Sequence, residues 1–263
     1  MTNPAAVSAS RPVALITGAS AGIGYEFALR LAERGYDLVL VARRRDRLEE
    51  LAAKVRGEHG NARTHIVAAD LADPAAPARI AAEVTAQGLA VDLLVNNAGF
   101  GTHGLFEGLA TEREHDEIEV NVQALVALTH AFLPGMLERR RGGVINVAST
   151  AAFAPVPYMA VYGATKAFVR SFSEALHEEV HARGVRVIAL CPGPTATEFF
   201  NSAVAAPRGP IRTVSDVVTT GLRAYDAGTP VAIDGTSNQL MIAGTHVIPR
   251  RWATKIAGRI MRP

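Results

Sequence analysis

Apolar residues in this chain fall into short, nearly unbroken runs. Longer stretches separate the runs, and in these the apolar positions recur every three or four residues. The runs lie at 12–16, 38–42, 65–69, 91–95, 144–148, 185–190 and 231–234. A run that does not alternate with polar residues indicates a strand covered on both faces. Helical periodicity occupies 25–34, 47–56, 75–87, 111–138 (as one helix or two), about 158–180, and 214–225. Strands alternating with helices predict a parallel sheet of about seven strands, joined by right-handed crossovers. The expected fold is α/β, a doubly wound (Rossmann) single domain over 11–263 with helices on both faces and no internal repeat or linker.

In such a sheet, ligands bind beyond the carboxyl ends of the strands. The residues that break the apolar pattern fall at those ends. Gly18, Gly22 and Gly24 follow the first run, Arg43 the second and Asp70 the third; Asn96 and Asn97 follow the fourth, Ser149 the fifth, and Pro192-Gly193 the sixth. The glycines occupy a strand-to-helix turn, where missing side chains let backbone N–H groups approach a pyrophosphate at a helix N-terminus. At the end of the second run stand Ala42 and then Arg43, Arg44 and Arg45, with no carboxylate between. An acidic residue there would bind the ribose hydroxyls of NAD. Guanidinium groups instead suit a 2′-phosphate, so NADP(H) is expected, with Arg43 as the main contact.

A further pair stands at the start of the helix over about 158–180. Tyr162 and Lys166 are four apart and share one helix face, with small Gly163, Ala164 and Thr165 between them. An ammonium beside a phenol favours the phenolate and is expected to lower the tyrosine pKa toward the range useful for proton transfer.

Composition narrows the reading. The chain of 263 residues is 49% hydrophobic and 20% charged, an ordinary globular balance, and its net charge of +2 is too small to suggest nucleic acid as a partner. The single cysteine, Cys191, cannot form an internal disulfide and suits a reducing cytoplasm. Residues 1–10 lack the basic and apolar regions of a signal peptide and are expected to be a flexible tail. The sequence reads as having no apolar run of about eighteen residues, hence no membrane-spanning helix. His177 and His181 are four apart, but a solvated helix face is the expected use and no metal is expected.

The motifs together resemble the short-chain dehydrogenase/reductase superfamily over nearly the whole chain. The matching residues are Thr17-Gly18-x-x-x-Gly22-x-Gly24, Asp70, Asn96-Asn97-Ala98-Gly99, Asn121, Ser149, Tyr162-x-x-x-Lys166 and Pro192-Gly193. The resemblance implies a catalytic set of Asn121, Ser149, Tyr162 and Lys166. Tyr162 would be the general acid in carbonyl reduction, and Ser149 would bind the substrate oxygen. Lys166 would hold the nicotinamide ribose, and the Asn121 carbonyl a water of a proton relay. It also implies an NADP(H) site lined by Gly18, Ser20, Ala21, Gly22, Ile23 and Gly24 in the turn. Further lining would come from Arg43, Asp70, Leu71, Asn97, Ala98, Gly99, Tyr162, Lys166, Pro192, Gly193, Thr195 and Thr197. Homodimers or homotetramers are usual in the superfamily.

Substrate is the least legible part. Phe100, Phe153, Pro155, Val156, Pro157, Phe199 and Phe200 fall near the catalytic end and would line an apolar pocket for a ketone, aldehyde or acyl compound. The stretch over 198–215 stands where relatives carry a mobile lid. Segment 249–262 mixes basic and apolar residues at helical spacing; it fits packing on the enzyme, an interface, or an anionic membrane, with packing or interface the expected use. It runs past the point where many acyl-carrier-protein ketoreductases end. The expected function is NADP(H)-dependent reduction of a small-molecule carbonyl compound. Alcohol oxidation by the same site and non-catalytic NADP(H) sensing are the alternatives.

Overall fold

The computed structural model describes residues 11–198 and 211–263. Seven strands form one sheet: β1 Val13–Thr17, β2 Asp37–Ala42, β3 Thr64–Ala68, β4 Val91–Asn96, β5 Gly143–Val147, β6 Arg186–Cys191 and β7 Val231–Ile233. Their order is β3-β2-β1-β4-β5-β6-β7, and every pairing is parallel. Leu15 at the centre of β1 stands opposite Val39 on one side and Leu94 on the other. The strand order reverses between β1 and β4, which opens a crevice at their carboxyl ends.

The helices are α1 Gly22–Glu33, α2 Arg45–Glu58, α3 Ala76–Ala86, α4 Thr111–Ile118, α5 Ala124–Glu138, α6 Ala160–Val180, α7 Val214–Ala227, α8 Thr236–Val247 and α9 Arg250–Met261. Successive strand residues point to opposite faces, which divides the core in two. Ala14 and Ile16 pack with Phe27 and Leu31 of α1, Leu51 of α2 and Val217 of α7. Val13 and Leu15 pack with Ile80 of α3, Leu128 of α5 and Val180 of α6. Both faces are covered, so the strands are apolar without alternation.

Three differences from expectation have physical causes. Helix α6 begins at Ala160 rather than near Tyr158, because Tyr158 has φ +66° and Met159 is the cap. Helix α8 was not among the expected elements; in its polar first turn, buried Asn238 donates to the Asp234 carbonyl at 2.6 Å. The run 111–138 is α4 and α5 joined by a π-helical turn, Glu119–Gln123. An eighteen-residue window within that continuous run reaches a mean hydropathy of 1.4, a length and composition that the sequence reading did not single out. Its α5 half packs on α3, β4 and β5 as part of the core. Residues 1–10 and the core of the 198–215 stretch, including Phe199 and Phe200, lie outside the described residues.

Candidate active site

Tyr162 and Lys166 project from the first turns of α6 toward the carboxyl end of β5, and both are buried. Lys166 Nζ donates to the Val147 carbonyl at 2.9 Å. The Tyr162 hydroxyl shares a hydrogen bond with Ser149, two residues beyond β5. The expected lowering of the tyrosine pKa is not what this environment gives. Burial pushes the phenol up to about 12, against the Ser149 hydrogen bond, and the negative charge of Glu117 adds to the rise. Burial likewise brings the lysine down to about 8, opposed by Glu117. The ammonium lies 5.8 Å from the ring centroid, and desolvation outweighs it.

Asn121 sits in the π turn, where the wider helix turns it toward the strand ends. Its side chain accepts from the Phe100 N–H at 3.1 Å, and its amide donates to the Phe100 carbonyl at 2.9 Å and to Thr165 Oγ1 at 3.1 Å. One turn earlier, Glu117 is completely buried and accepts from the Thr102 N–H and hydroxyl, each at 2.8 Å. These two side chains hold the loop from Gly99 to Thr102 against the catalytic pair. A Cβ built on Gly99 would meet Lys166 Nζ at 3.2 Å, and one on Gly101 would meet the Tyr162 ring at 2.9 Å. The sequence reading missed Glu117. Its spacing of four from Asn121 was the available signal, masked by the neighbouring acids Glu112, Glu114 and Asp116. Burial raises its carboxyl above the usual range, although both Thr102 hydrogen bonds oppose this.

The glycine turn lies at the crevice. Gly22 opens α1 with φ +56°, a conformation that disfavours side chains. A Cβ on Gly24 would overlap the Gly18 carbonyl oxygen. The first turn of α1 has neither a side-chain cap nor an acidic residue, which leaves its N–H groups for an anion. Asn97 fastens β4 to this turn: its amide donates to the Thr17 carbonyl at 2.9 Å, and Thr17 Oγ1 accepts from the N–H groups of Asn97 and Ala98, both at 3.0 Å.

Beyond β2, Arg43 Nη1 stands 3.9 Å from Asp70 Oδ2, with both side chains exposed. Arg44 reaches Ser20 Oγ at 3.3 Å and Glu198 Oε2 at 2.9 Å, so it spans the crevice. Asp70 Oδ1 accepts from the Ala72 N–H in a local turn. Past β6, Thr195 Oγ1 donates to the Gly193 carbonyl at 2.9 Å, and Thr197 packs beside Gly22. An open helix N-terminus, a bare glycine turn and two flanking guanidinium groups form a donor set that fits a dinucleotide with an extra phosphate.

A cavity of about 840 Å³ runs from this turn to Tyr162. It is lined by every site residue expected from the sequence except Gly24 and Asn121, which stand behind it as packing and as a clamp. Phe100, Phe153, Pro155 and Val156 line it as expected. Pro157 does not; a Cβ on Gly258 of α9 would meet it at 3.2 Å. The far wall comes from α8 and α9, through residues such as Met241, Ile242, Ile256 and Met261. The sequence marked α9 as amphipathic but did not place its inner face here.

His177 and His181 stack with ring centroids 5.2 Å apart, and Glu178 joins them as a third potential ligand, which the sequence reading did not include. The Nδ1 atoms face backbone carbonyls of Val187 and His177, at 2.9 and 3.1 Å. Cys191 is buried, with its thiol pushed up to about 12 by that burial.

The short chain dehydrogenase family model matches residues 12–208. The very-long-chain 3-oxoacyl-CoA reductase of Mycosarcoma maydis is 34% identical over 248 residues, covering 91% of this chain and 70% of its own length. The NADP-dependent 3-hydroxy acid dehydrogenase of Escherichia coli K12 is 39% identical over 192 residues, covering 72% of this chain and 75% of its own. A short-chain dehydrogenase from Sphingobium yanoikuyae, solved with NADPH, superposes with a TM-score of 0.81 at 35% identity, covering 90% of this chain and 94% of that one. With the Ser149–Tyr162–Lys166 geometry at the mouth of a seven-stranded parallel sheet, these matches make the chain a member of the short-chain dehydrogenase family.

Proposed function

We propose that this chain is an NADP(H)-dependent oxidoreductase that reduces an apolar ketone, aldehyde or acyl compound to the alcohol. The observation that carries the reading is the Tyr162–Ser149 hydrogen bond beside Lys166, in a cavity whose other end is the glycine turn. When held along this crevice, NADPH would supply the hydride for the carbonyl carbon. Tyr162 delivers the proton to the carbonyl oxygen, and Ser149 donates a hydrogen bond to that oxygen as charge gathers on it. Lys166 holds ribose hydroxyls and steadies the phenolate left behind. Asn121 positions the Phe100 loop and, through its backbone carbonyl, a water that returns a proton by way of Lys166. Arg43 and Arg44 receive the 2′-phosphate, Asp70 and Leu71 the adenine, and Asn97, Ala98 and Gly99 the adenosine ribose. Pro192, Gly193, Thr195 and Thr197 hold the carboxamide and diphosphate.

The apolar lining, together with relatives named for acyl and hydroxy acid substrates, supports an acyl-type carbonyl compound. A homodimer or homotetramer and a cytoplasmic location belong to the same proposal, on the resemblance and the single cysteine. An NADPH-oxidation screen over ketones, aldehydes and acyl thioesters tests the reading. Turnover of apolar carbonyl compounds is expected, and absence of turnover across all three classes would overturn it. The same site run in reverse would oxidise the alcohol with NADP, which assays at alkaline pH would register.

A further inference from the structure

The end of the chain is charged very differently from the rest. Five of its 27 Lys and Arg lie beyond Asp234, as Arg250, Arg251, Lys255, Arg259 and Arg262, with none of its 25 Asp and Glu. Along α9 a spacing of four traces four rows of side chains, of which three bear on the cavity and its rim. Ala253, Ala257 and Met261 face the cavity. The next row, Trp252, Ile256 and Ile260, is 50%, 46% and 45% exposed. The row beyond that is Arg251, Lys255 and Arg259. Ile256 and Ile260 both line the cavity and reach solvent, as do Met241 and Ile248. The apolar lining therefore continues out of the cavity onto the surface. His103, on the loop after β4, ties the end of α9 to the enzyme: its Nε2 contacts the Met261 carbonyl at 2.7 Å.

We infer that the α8–α9 rim docks on an anionic phospholipid surface and opens the cavity toward the bilayer. An apolar rim bordered by cations and containing a tryptophan matches the interface between lipid headgroups and acyl chains. A second copy of this chain fits less well. A two-fold contact would set the same basic row against itself, and like charges so placed repel. An acidic protein would satisfy the cations but leaves the apolar mouth without purpose. Docking lets an apolar substrate pass from lipid to Tyr162 without crossing water.

Trp252 is the chain's only tryptophan, so its emission reports the rim directly. The full-length protein is mixed with vesicles of phosphatidylcholine alone, or of phosphatidylcholine and phosphatidylglycerol in equal parts, and partition is also followed by flotation. A blue shift and flotation with the anionic vesicles only are expected, both weakened by raising salt. The variant Arg251→Gln/Lys255→Gln/Arg259→Gln should bind those vesicles about a hundredfold more weakly. None of the three lines the cavity, so reduction of a water-soluble ketone should be unchanged. That activity also separates a failed docking surface from a failed reductase assignment. Three results would each overturn the inference: no shift with anionic vesicles, equal binding to neutral vesicles, or a blue shift that follows protein concentration without lipid.

Discussion

Lys166 is tied to Val147 by a 2.9 Å hydrogen bond from its ammonium to the strand carbonyl. The bond places a cation at the last residue of β5, where burial has brought its pKa from 10.5 to about 8. Between those two values the unfolded chain keeps a proton that the folded chain has released. Stability must therefore rise with pH across about 8 to 10.5 on account of this group. Denaturant titrations of the wild type and Lys166→Met should show it, with the wild type gaining on the variant through that window. A constant difference would mean that the amine is not desolvated as described.

Tyr162→Phe removes the acidic hydroxyl and keeps the ring that packs against Gly101. Turnover should fall by about 10²- to 10⁴-fold, while NADPH affinity, read by fluorescence titration, stays within a few-fold. A protein that only senses NADP(H) would keep its response in this variant.

Glu117→Gln keeps an acceptor for Thr102 and removes a charge that raises the pKa of both Tyr162 and Lys166. The alkaline limb of the kcat/KM profile should move to lower pH, with folding preserved. Glu117→Leu goes further: it strands the Thr102 N–H and should cost about 1–3 kcal/mol in chemical denaturation. If both variants keep the wild-type pH profile, the carboxylate does not act on the catalytic pair.

Arg43→Ala should lower kcat/KM for NADPH by about tenfold and leave the value for NADH nearly unchanged; the modest size reflects an exposed contact. Steady-state assays with both coenzymes decide it. Equal losses with the two would assign Arg43 a general rather than a phosphate-specific role.

Strand content and the ligand edge were legible because the central strands β1, β4 and β5 are buried throughout, and polar or glycine residues follow the strand ends. The alternation placed the glycine turn and Ser149 at the ligand edge, and helical spacing put Tyr162 and Lys166 on one face; their catalytic roles came from the family resemblance. The direction of the Tyr162 shift was not legible, because it depends on how deeply α6 sinks toward β5, and no spacing records depth. Glu117 was hidden for a related reason: within Thr111–Ile118 it stands among Glu112, Glu114 and Asp116, of which Glu114 is buried too, and only tertiary contact singles out the acid that holds the Thr102 loop. Helix α8 was lost because its polar first turn is satisfied by carbonyls at the end of β7: Asn238 donates to Asp234 at 2.6 Å and Gln239 to Ile233 at 3.0 Å.

The wide turn over Glu119–Gln123 works as a phase shifter. Upstream of it the helix aims Glu117 at the catalytic loop, and downstream it aims Ala124 and Leu128 at the core. A regular helix through the same residues would rotate one half by roughly 100° relative to the other. Deleting a single residue there would force the protein to choose between an intact interior and an aligned proton donor. Chain length at this one spot is therefore set by the geometry on either side of it.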